Sequence, residues 1–356
     1  MNHSLFPVVL SCGLLATVKP AFAQGSLTPP GPPAPTMKTL AQIEPRTAIP
    51  PGGSFTINAP GSYYLTGNIN VSSGHGIVIG ANNVALDLNG FTISSSANPA
   101  VGTGIYLAAA LTNITIANGF IYGAVTNNGA AVYGGRGFAN GISFAGTQPV
   151  NARVANLSVS GCLQSGIYLN QTVGNTGNTV ESCLVNDCGT FGISAEMVTD
   201  SVAYSGGGSA IFSGTASRSR GVSYASEGLH AAQTADTCSG QSTTYYGVNA
   251  TVARRCFGVS SSSQGLHAAY HAQTCYGQTG TGEYGMFVGL GADNCYGNHA
   301  SSTGGTGLWA SQIAFGSYGT SSGSGSVGIH GGILNCCQGV GTAGVNATFN
   351  YKYNMP

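Results

Sequence analysis

The sequence predicts an all-β fold, a solenoid whose short strands wind as a single-stranded parallel β-helix of about thirteen coils. Three observations carry that prediction. A glycine-led phrase recurs as Gly228-Leu-His-Ala, Gly247-Val-Asn-Ala, Gly265-Leu-His-Ala, Gly285-Met-Phe-Val and Gly307-Leu-Trp-Ala, with first residues 19, 18, 20 and 22 positions apart. A second landmark keeps step with it, because Cys238, Cys256, Cys275 and Cys295 are spaced 18, 19 and 20 apart. Two landmarks with one period mean one supersecondary unit copied along an axis, and a period near 20 is that of a solenoid. Third, the apolar residues alternate with a period of two, as in Val84, Leu86 and Leu88 around Ala85 and Asp87, which is the pattern of strands rather than helices. Coils stacked at the interstrand spacing make a rod of about 60 Å.

Taken in order, residues 1–23 read as a secretory signal peptide. An apolar stretch from Leu5 to Val18 is followed by Ala21-Phe-Ala23 just before Gln24, a small-residue cleavage pattern. Export places the mature chain outside the cytoplasm: secreted, periplasmic or on the cell surface. Residues 24–36 are a Pro-rich spacer, which favours extended polyproline II and cannot join a sheet. Residues 37–53 read as a cap over the first coil, because solenoid ends need one. The β-helix is expected over 54–350 and a short tail over 351–356. Its first strands carry Phe55, Ile57, Tyr63, Leu65, Ile69 and Val71, cut by Pro60-Gly61 and Gly67-Asn68. From Asn151 onward the coils shorten and become regular. The small residues Ala231, Ala250, Ala268 and Ala310 predict a narrow bore in this C-terminal half.

Composition excludes several functions. Of 356 residues only 6% are charged and the formal net charge is zero, so there is no electrostatic footprint for nucleic acid or an anionic membrane. Nothing after the signal is apolar enough to span a bilayer. The 42% hydrophobic content argues against disorder despite 57 glycines. The polar surface must come from Ser, Thr, Asn and Gln, which suits hydroxyl-rich partners such as polysaccharides or cell-surface glycans.

Nine of ten cysteines remain once Cys12 leaves with the signal. Cys183, Cys238, Cys256, Cys275, Cys295 and Cys336 fall near one repeat position. Neighbouring coils would hold their Cβ atoms about 4.8 Å apart, wider than the roughly 3.8 Å a disulfide prefers, so an inward stack of free thiols is expected. A local Cys183–Cys188 bridge stays open as the alternative. No Cys-x-x-Cys pair occurs, and no metal site or cofactor is expected.

The phrases Gly76-Ile-Val-Ile, Asn83-Val-Ala-Leu-Asp-Leu-Asn-Gly-Phe-Thr-Ile93 and Gly104-Ile-Tyr-Leu resemble right-handed parallel β-helix proteins of the pectate-lyase-like superfamily. More closely they resemble its secreted bacterial β-helix-repeat proteins of unassigned function. A left-handed β-helix needs an aliphatic residue every sixth position, and from Leu229 the sixth residues are Ala235 and Gln241, so that pattern fails. The resemblance covers about residues 54–350 and implies the fold, with ligands taken on the outside of the rod. Enzymes of that superfamily would use a Lys or Arg base with carboxylate-held calcium, or three aspartates with a Gly-His-Gly loop. Gly74-His75-Gly76 is present, but the partner aspartate motifs are not, and the phrase reads as a turn. Asp200, Arg218, Asp236 and Arg254, spaced 18 apart, are expected to stack as an outward ion ladder. No catalytic residue is identified.

The third residue of each closing phrase points outward when its neighbours point in. That gives Tyr168, Ser194, His230, Asn249, His267, Phe287, Trp309, His330 and Asn346, with the single tryptophan among them. Exposed rings with amides and imidazoles suit sugars, which offer an apolar face and a polar edge. The ligand-binding set is therefore His230, Asn249, His267, Phe287, Trp309 and His330, set against the plainer reading of a structural ring ladder. Three classes remain: a noncatalytic polysaccharide-binding or surface-presenting β-helix, a polysaccharide lyase or glycoside hydrolase, and a self-associating adhesin-like rod. The scarcity of ionisable groups favours the first and third over the second.

Overall fold

A computed structural model describes residue 38 and residues 43–127, 131–172, 174–302, 304–347 and 352–353, with the side chains of 346–347 and 352–353 left aside. Residues 1–23 and 24–36, expected from the sequence to be a signal peptide and a Pro-rich spacer, lie outside the described residues. The chain divides into two units, 1–45 and 46–356. In the first unit Ile43 is largely exposed.

The second unit is the expected right-handed parallel β-helix. Thirteen parallel pairings link fourteen rungs on its first face, from Phe55–Ile57 to Val345–Ala347. Crossover connections between parallel strands of one sheet are right-handed almost without exception. In the C-terminal half the rungs of this face are the glycine-led phrases: Leu229 pairs with Val248, Val248 with Leu266, and Leu266 with Met286. The second face stacks Ala235, Ala253, Ala272, Ala292 and Ala314. The third stacks Gly240, Gly258, Gly277, Gly297 and Gly319. Pairing begins at Thr47–Ile49, which lies on Tyr63–Leu65 with Ile49 fully buried. It therefore starts ahead of Ser54, and Lys352–Tyr353 still pairs with Leu334–Asn335 at the far end.

The bore narrows along the axis, for a reason beyond the alanines. The inward residue of the third face runs Ile93, Ile121, Val159, Val185, Ala203, Gly221, Gly240 in register. Where that residue is large, its side chain fills the space against a first-face glycine: a Cβ on Gly104 would meet Ile121 Cγ2 at 2.6 Å. Where it is glycine, backbone meets backbone. A Cβ on Gly240 would overlap the Gly247 carbonyl oxygen, and one on Gly258 the Gly265 carbonyl oxygen. Only glycine permits so close an approach.

Between the second and third faces the chain turns through one left-handed residue per coil. Asn118, Asn156, Ser182, Asp200, Arg218, Thr237, Arg255, Thr274, Asn294 and Cys336 have φ of +63°, +54°, +53°, +50°, +46°, +55°, +49°, +53°, +51° and +53°. Such a conformation costs an L-residue about 1 kcal/mol, so each corner needs compensation. The next residue supplies it. Ser201 and Ser219 Oγ donate to the carbonyls of Thr199 and Ser217 at 2.8 Å and accept the amides of Cys183 and Ser201. Cysteine does the same with sulfur, as Cys256 Sγ donates to Arg254 O at 3.1 Å and Cys275 Sγ accepts the Cys256 amide at 3.4 Å.

This explains the cysteine column. Its members are Cys183, Cys238, Cys256, Cys275, Cys295 and Cys337, all buried, with Ser201, Ser219 and Ser317 at the same corner. Cys336, expected in the column, instead occupies the exposed left-handed position, and its neighbour Cys337 turns inward. All nine described cysteines are free, so the Cys183–Cys188 bridge does not form.

Candidate functional site: a ring and amide stripe on the first face

The outward residues of the first face stack as the repeat requires. His230 pairs with Asn249, Asn249 with His267, His267 with Phe287, Phe287 with Trp309, and Trp309 with His330, and the backbone of Asn346 continues the register after His330. Above them stand Tyr168, Ser194 and Phe212, again in register. Phe212 escaped the sequence reading because its phrase opens with Ala210 instead of glycine. Ser194 is fully buried, its hydroxyl donating to Asn170 O at 2.8 Å, and so leaves the surface.

A second column runs beside this one, formed by the residue before each glycine or, in one coil, before Ala210. Phe191, Ser209, Glu227, Tyr246, Gln264 and Tyr284 occupy it. Its rings interleave with the first column: Tyr168–Phe191 centroids are 5.9 Å apart, Phe191–Phe212 5.7 Å, Tyr246–His267 5.1 Å and Tyr284–Trp309 5.4 Å. Within the first column, Phe212–His230, His267–Phe287 and Trp309–His330 lie 5.0, 5.3 and 3.7 Å apart. The rings are therefore half-buried by one another, more enclosed than the sequence suggested. The parallel stacking is interrupted where the planes tilt, at Phe191–Phe212 (50°) and Tyr284–Trp309 (60°). Near the upper end, a groove of about 380 Å³ is bounded by Phe144, Tyr168 and Phe191 with Asn140, Gln164 and Thr190.

Asn249 breaks the run of rings with a polar cluster. Glu227 Oε2 accepts from Ser209 Oγ at 2.7 Å and Ser226 Oγ at 2.6 Å. Its Oε1 lies 3.4 Å from His230 Nδ1 and 3.5 Å from Asn249 Nδ2. Burial by itself would raise the Glu227 carboxyl, but hydrogen bonds from His230, Ser226 and Ser209 hold it well below the ordinary carboxylate range. Asn249 Oδ1 lies 2.9 Å from His267 Nδ1. Burial, and then the charge of His230, push His267 below the ordinary imidazole value. Burial also lowers His330.

The remaining candidates fall elsewhere. His75 stacks on Tyr106 at 4.1 Å, and Gly74 before it turns at φ +72°. His271 belongs to the second face, paired with Asp293 at 3.4 Å. The expected four-residue charge line divides in two. Asp200 and Arg218 share the left-handed corner and form a two-pronged pair at 2.7 and 2.8 Å. The coil after Arg218 is one residue longer, so Thr237 takes the corner and Asp236 shifts to the second face. Asp236 then pairs with Arg255 at 2.6 Å, although Arg254 is its register partner. Among the described residues no group of three His, Cys, Asp or Glu is placed to hold a metal ion, and no helix is long and apolar enough to cross a membrane.

Sequence reasoning also missed a shorter ladder on the third face. Phe257, Tyr276, Tyr296 and Tyr318 lie in a row with centroids 4.9, 5.0 and 5.1 Å apart, the outer two pairs stacked and Tyr276–Tyr296 edge to face. The signal was present: each follows the Cys or Ser of the corner and precedes a glycine.

No family model and no curated protein matches the chain. Two solved structures are similar. One is the catalytic unit of a thermostable GH87 alpha-1,3-glucanase from Streptomyces thermodiastaticus, at 14% identity and TM-score 0.38, covering 88% of this chain and 64% of that one. The other is the Dettilon tailspike protein, at 10% identity and TM-score 0.33, covering 86% and 60%. The chain thus spans less than two thirds of the length of either.

Proposed function

We propose that the protein is an exported, noncatalytic β-helix that binds polysaccharide along its first face, with the glycan lying parallel to the rod. The observation that carries this reading is the groove at Phe144, Tyr168 and Phe191, where rings stand beside the Asn140–Gln164 amide pair. It continues as a registered ring and amide column to His330. Apolar walls with a few fixed polar groups are what a sugar-sized site needs. A noncatalytic role is favoured because hydrolysis of the usual kind takes two opposed carboxyls. The partners of Glu227 are Ser209, Ser226, His230 and Asn249, none of them a second acid.

The test is affinity electrophoresis of the mature protein through gels containing soluble polysaccharides. Retardation by at least one polymer, weakened about tenfold or more by Trp309→Ala or Phe191→Ala in folded protein, is the expected result. Equal migration in every gel overturns the reading. Release of shortened sugars during incubation overturns its noncatalytic part.

A further inference from the structure

The polar break in the stripe has a direction. A carboxylate can only accept hydrogen bonds, so Glu227 Oε1 turns the nitrogen end of the Asn249 amide toward itself, at 3.5 Å. The oxygen end then faces His267 Nδ1 at 2.9 Å. An amide oxygen also only accepts, so the hydrogen in that contact sits on His267 Nδ1. A neutral imidazole carries one N–H, which leaves His267 Nε2 as a bare acceptor. Among the described residues nothing in the protein bonds to that atom, and it is not enclosed. The ring around it is held by stacking on Tyr246 and Phe287.

Among the described residues the carboxylates of the stripe face no arginine, and its His230 is already turned to Glu227 Oε1 at 3.4 Å. Glu227 lies in the stripe, and Glu283 stands beside Tyr284, whose hydroxyl it accepts. The arginines of the same coils sit elsewhere. Arg218 and Arg255 occupy the corner between the second and third faces, Arg254 the second face and Arg220 the third.

We propose that Glu227, Asn249 and His267 form a directional site that takes a hydroxyl of a neutral glycan at His267 Nε2 and rejects uronate-bearing polymers. This rests on the reading of the stripe as a glycan-binding face, and it adds which class of glycan binds and which atom selects it. His267 accepts the sugar hydroxyl, while Asn249 and Glu227 fix the tautomer that makes acceptance possible. A neutral ligand is required because an acidic chain would lay its carboxylates against Glu227 and Glu283, while the imidazole beside them, His230, is already turned to Glu227.

Two measurements on the full mature chain test this. Nitrogen-15 NMR of histidine-labelled protein near pH 7.5 should show His267 with a protonated Nδ1 and a bare Nε2. The opposite tautomer overturns the proposal whatever binds. Affinity electrophoresis then uses hydroxyethyl cellulose, dextran and galactomannan as neutral probes and polygalacturonate as the acidic one. At least one neutral gel should retard the protein and polygalacturonate should not. His267→Phe, which keeps a stacking ring but loses the acceptor, should weaken retardation about tenfold. Wild-type retardation by His267→Phe, alongside loss in Trp309→Ala, overturns this inference and leaves the stripe standing. Retardation by polygalacturonate equal to that of the neutral gels does the same. No retardation by any of the four overturns both.

Discussion

The two halves of the solenoid build the same coil in opposite ways. Toward the N-terminus the space between the first and third faces is filled by Ile93, Ile121, Val159 and Val185, all buried. Asparagines stabilise the turns there, with Asn113 Nδ2 donating to Asn83 Oδ1 at 2.8 Å and Asn151 Nδ2 to Asn113 Oδ1 at 2.7 Å. Toward the C-terminus the same space is closed by glycine backbone on glycine backbone, and the corner is held by a Cys/Ser ladder. The first design gains stability from apolar area, at about 25 cal/mol per Å² buried. The second gives up much of that area for close backbone approach and paired corner amides. The polar break of the stripe lies on the second kind of wall, where coils are short and successive outward residues come into tight register.

The largest effect should come from a charge in the bore. Leu266 is fully buried, and an unpaired carboxylate in its place is uncompensated by any nearby cation. Leu266→Asp should therefore lose several kcal/mol and yield no soluble folded protein. Normal yield with a native circular dichroism spectrum would mean that Leu266 does not face the core.

Next comes the contrast between the walls themselves. Gly258→Ala places a methyl group into the Gly265 carbonyl, backbone that cannot swing aside, and should destabilise by about 3 kcal/mol. In the N-terminal half the sensitive change is loss of volume: Ile121→Ala should cost about 3 kcal/mol through the cavity it leaves. Chemical denaturation of both variants checks the pair. If Gly258→Ala is neutral, the backbone contact is looser than described and the contrast between the halves collapses.

Much of this was legible in the sequence, and the failures have local causes. The glycine and cysteine periods gave the coils, and the third residue of each phrase gave the column from His230 to His330. Phe212 was passed over because Ala210 stands where the phrase expects glycine. The Asp236–Arg254 alignment assumed a constant 18-residue coil, and one extra residue after Arg218 moved the partner to Arg255. Glu227 was visible only as one acid among ten. That it reaches His230 follows from the residue before the glycine and the third residue of the phrase sharing a surface, which residue spacing alone does not reveal. Cys336 and Cys337 are adjacent, and only the left-handed turn decides which thiol enters the bore.

That ladder offers a smaller test. Cys275 donates to Gln273 O and also accepts the Cys256 amide. Cys275→Ser keeps a donor and an acceptor of similar size and should change stability by less than about 1 kcal/mol. Cys275→Val strands the Cys256 amide and should cost about 2 kcal/mol. Equal effects of the two would assign the column to apolar packing alone.

The smallest expected effect is a pH dependence that separates the halves. Burial lowers His75, His267, His299 and His330, the second aided by the charge of His230. A histidine whose folded value lies below its unfolded value of about 6.5 binds its proton more readily in the unfolded chain. Stability is therefore full above that value and declines as pH falls through it. Glu227 adds the same sign lower down: its folded value is depressed, so its contribution is present above the ordinary carboxylate value and is lost on further acidification. Three of these four histidines, and Glu227, belong to the C-terminal half. The melting midpoint should be flat above pH 7 and drop by a few degrees between pH 6.5 and 5. Hydrogen exchange at pH 5, corrected for the intrinsic rate, should open the coils between Glu227 and His330 before those around Ile93 and Ile121. Uniform opening, or earlier loss at the N-terminal end, would show that the filled wall and the glycine wall share one stability, and would remove the physical ground for treating them as different.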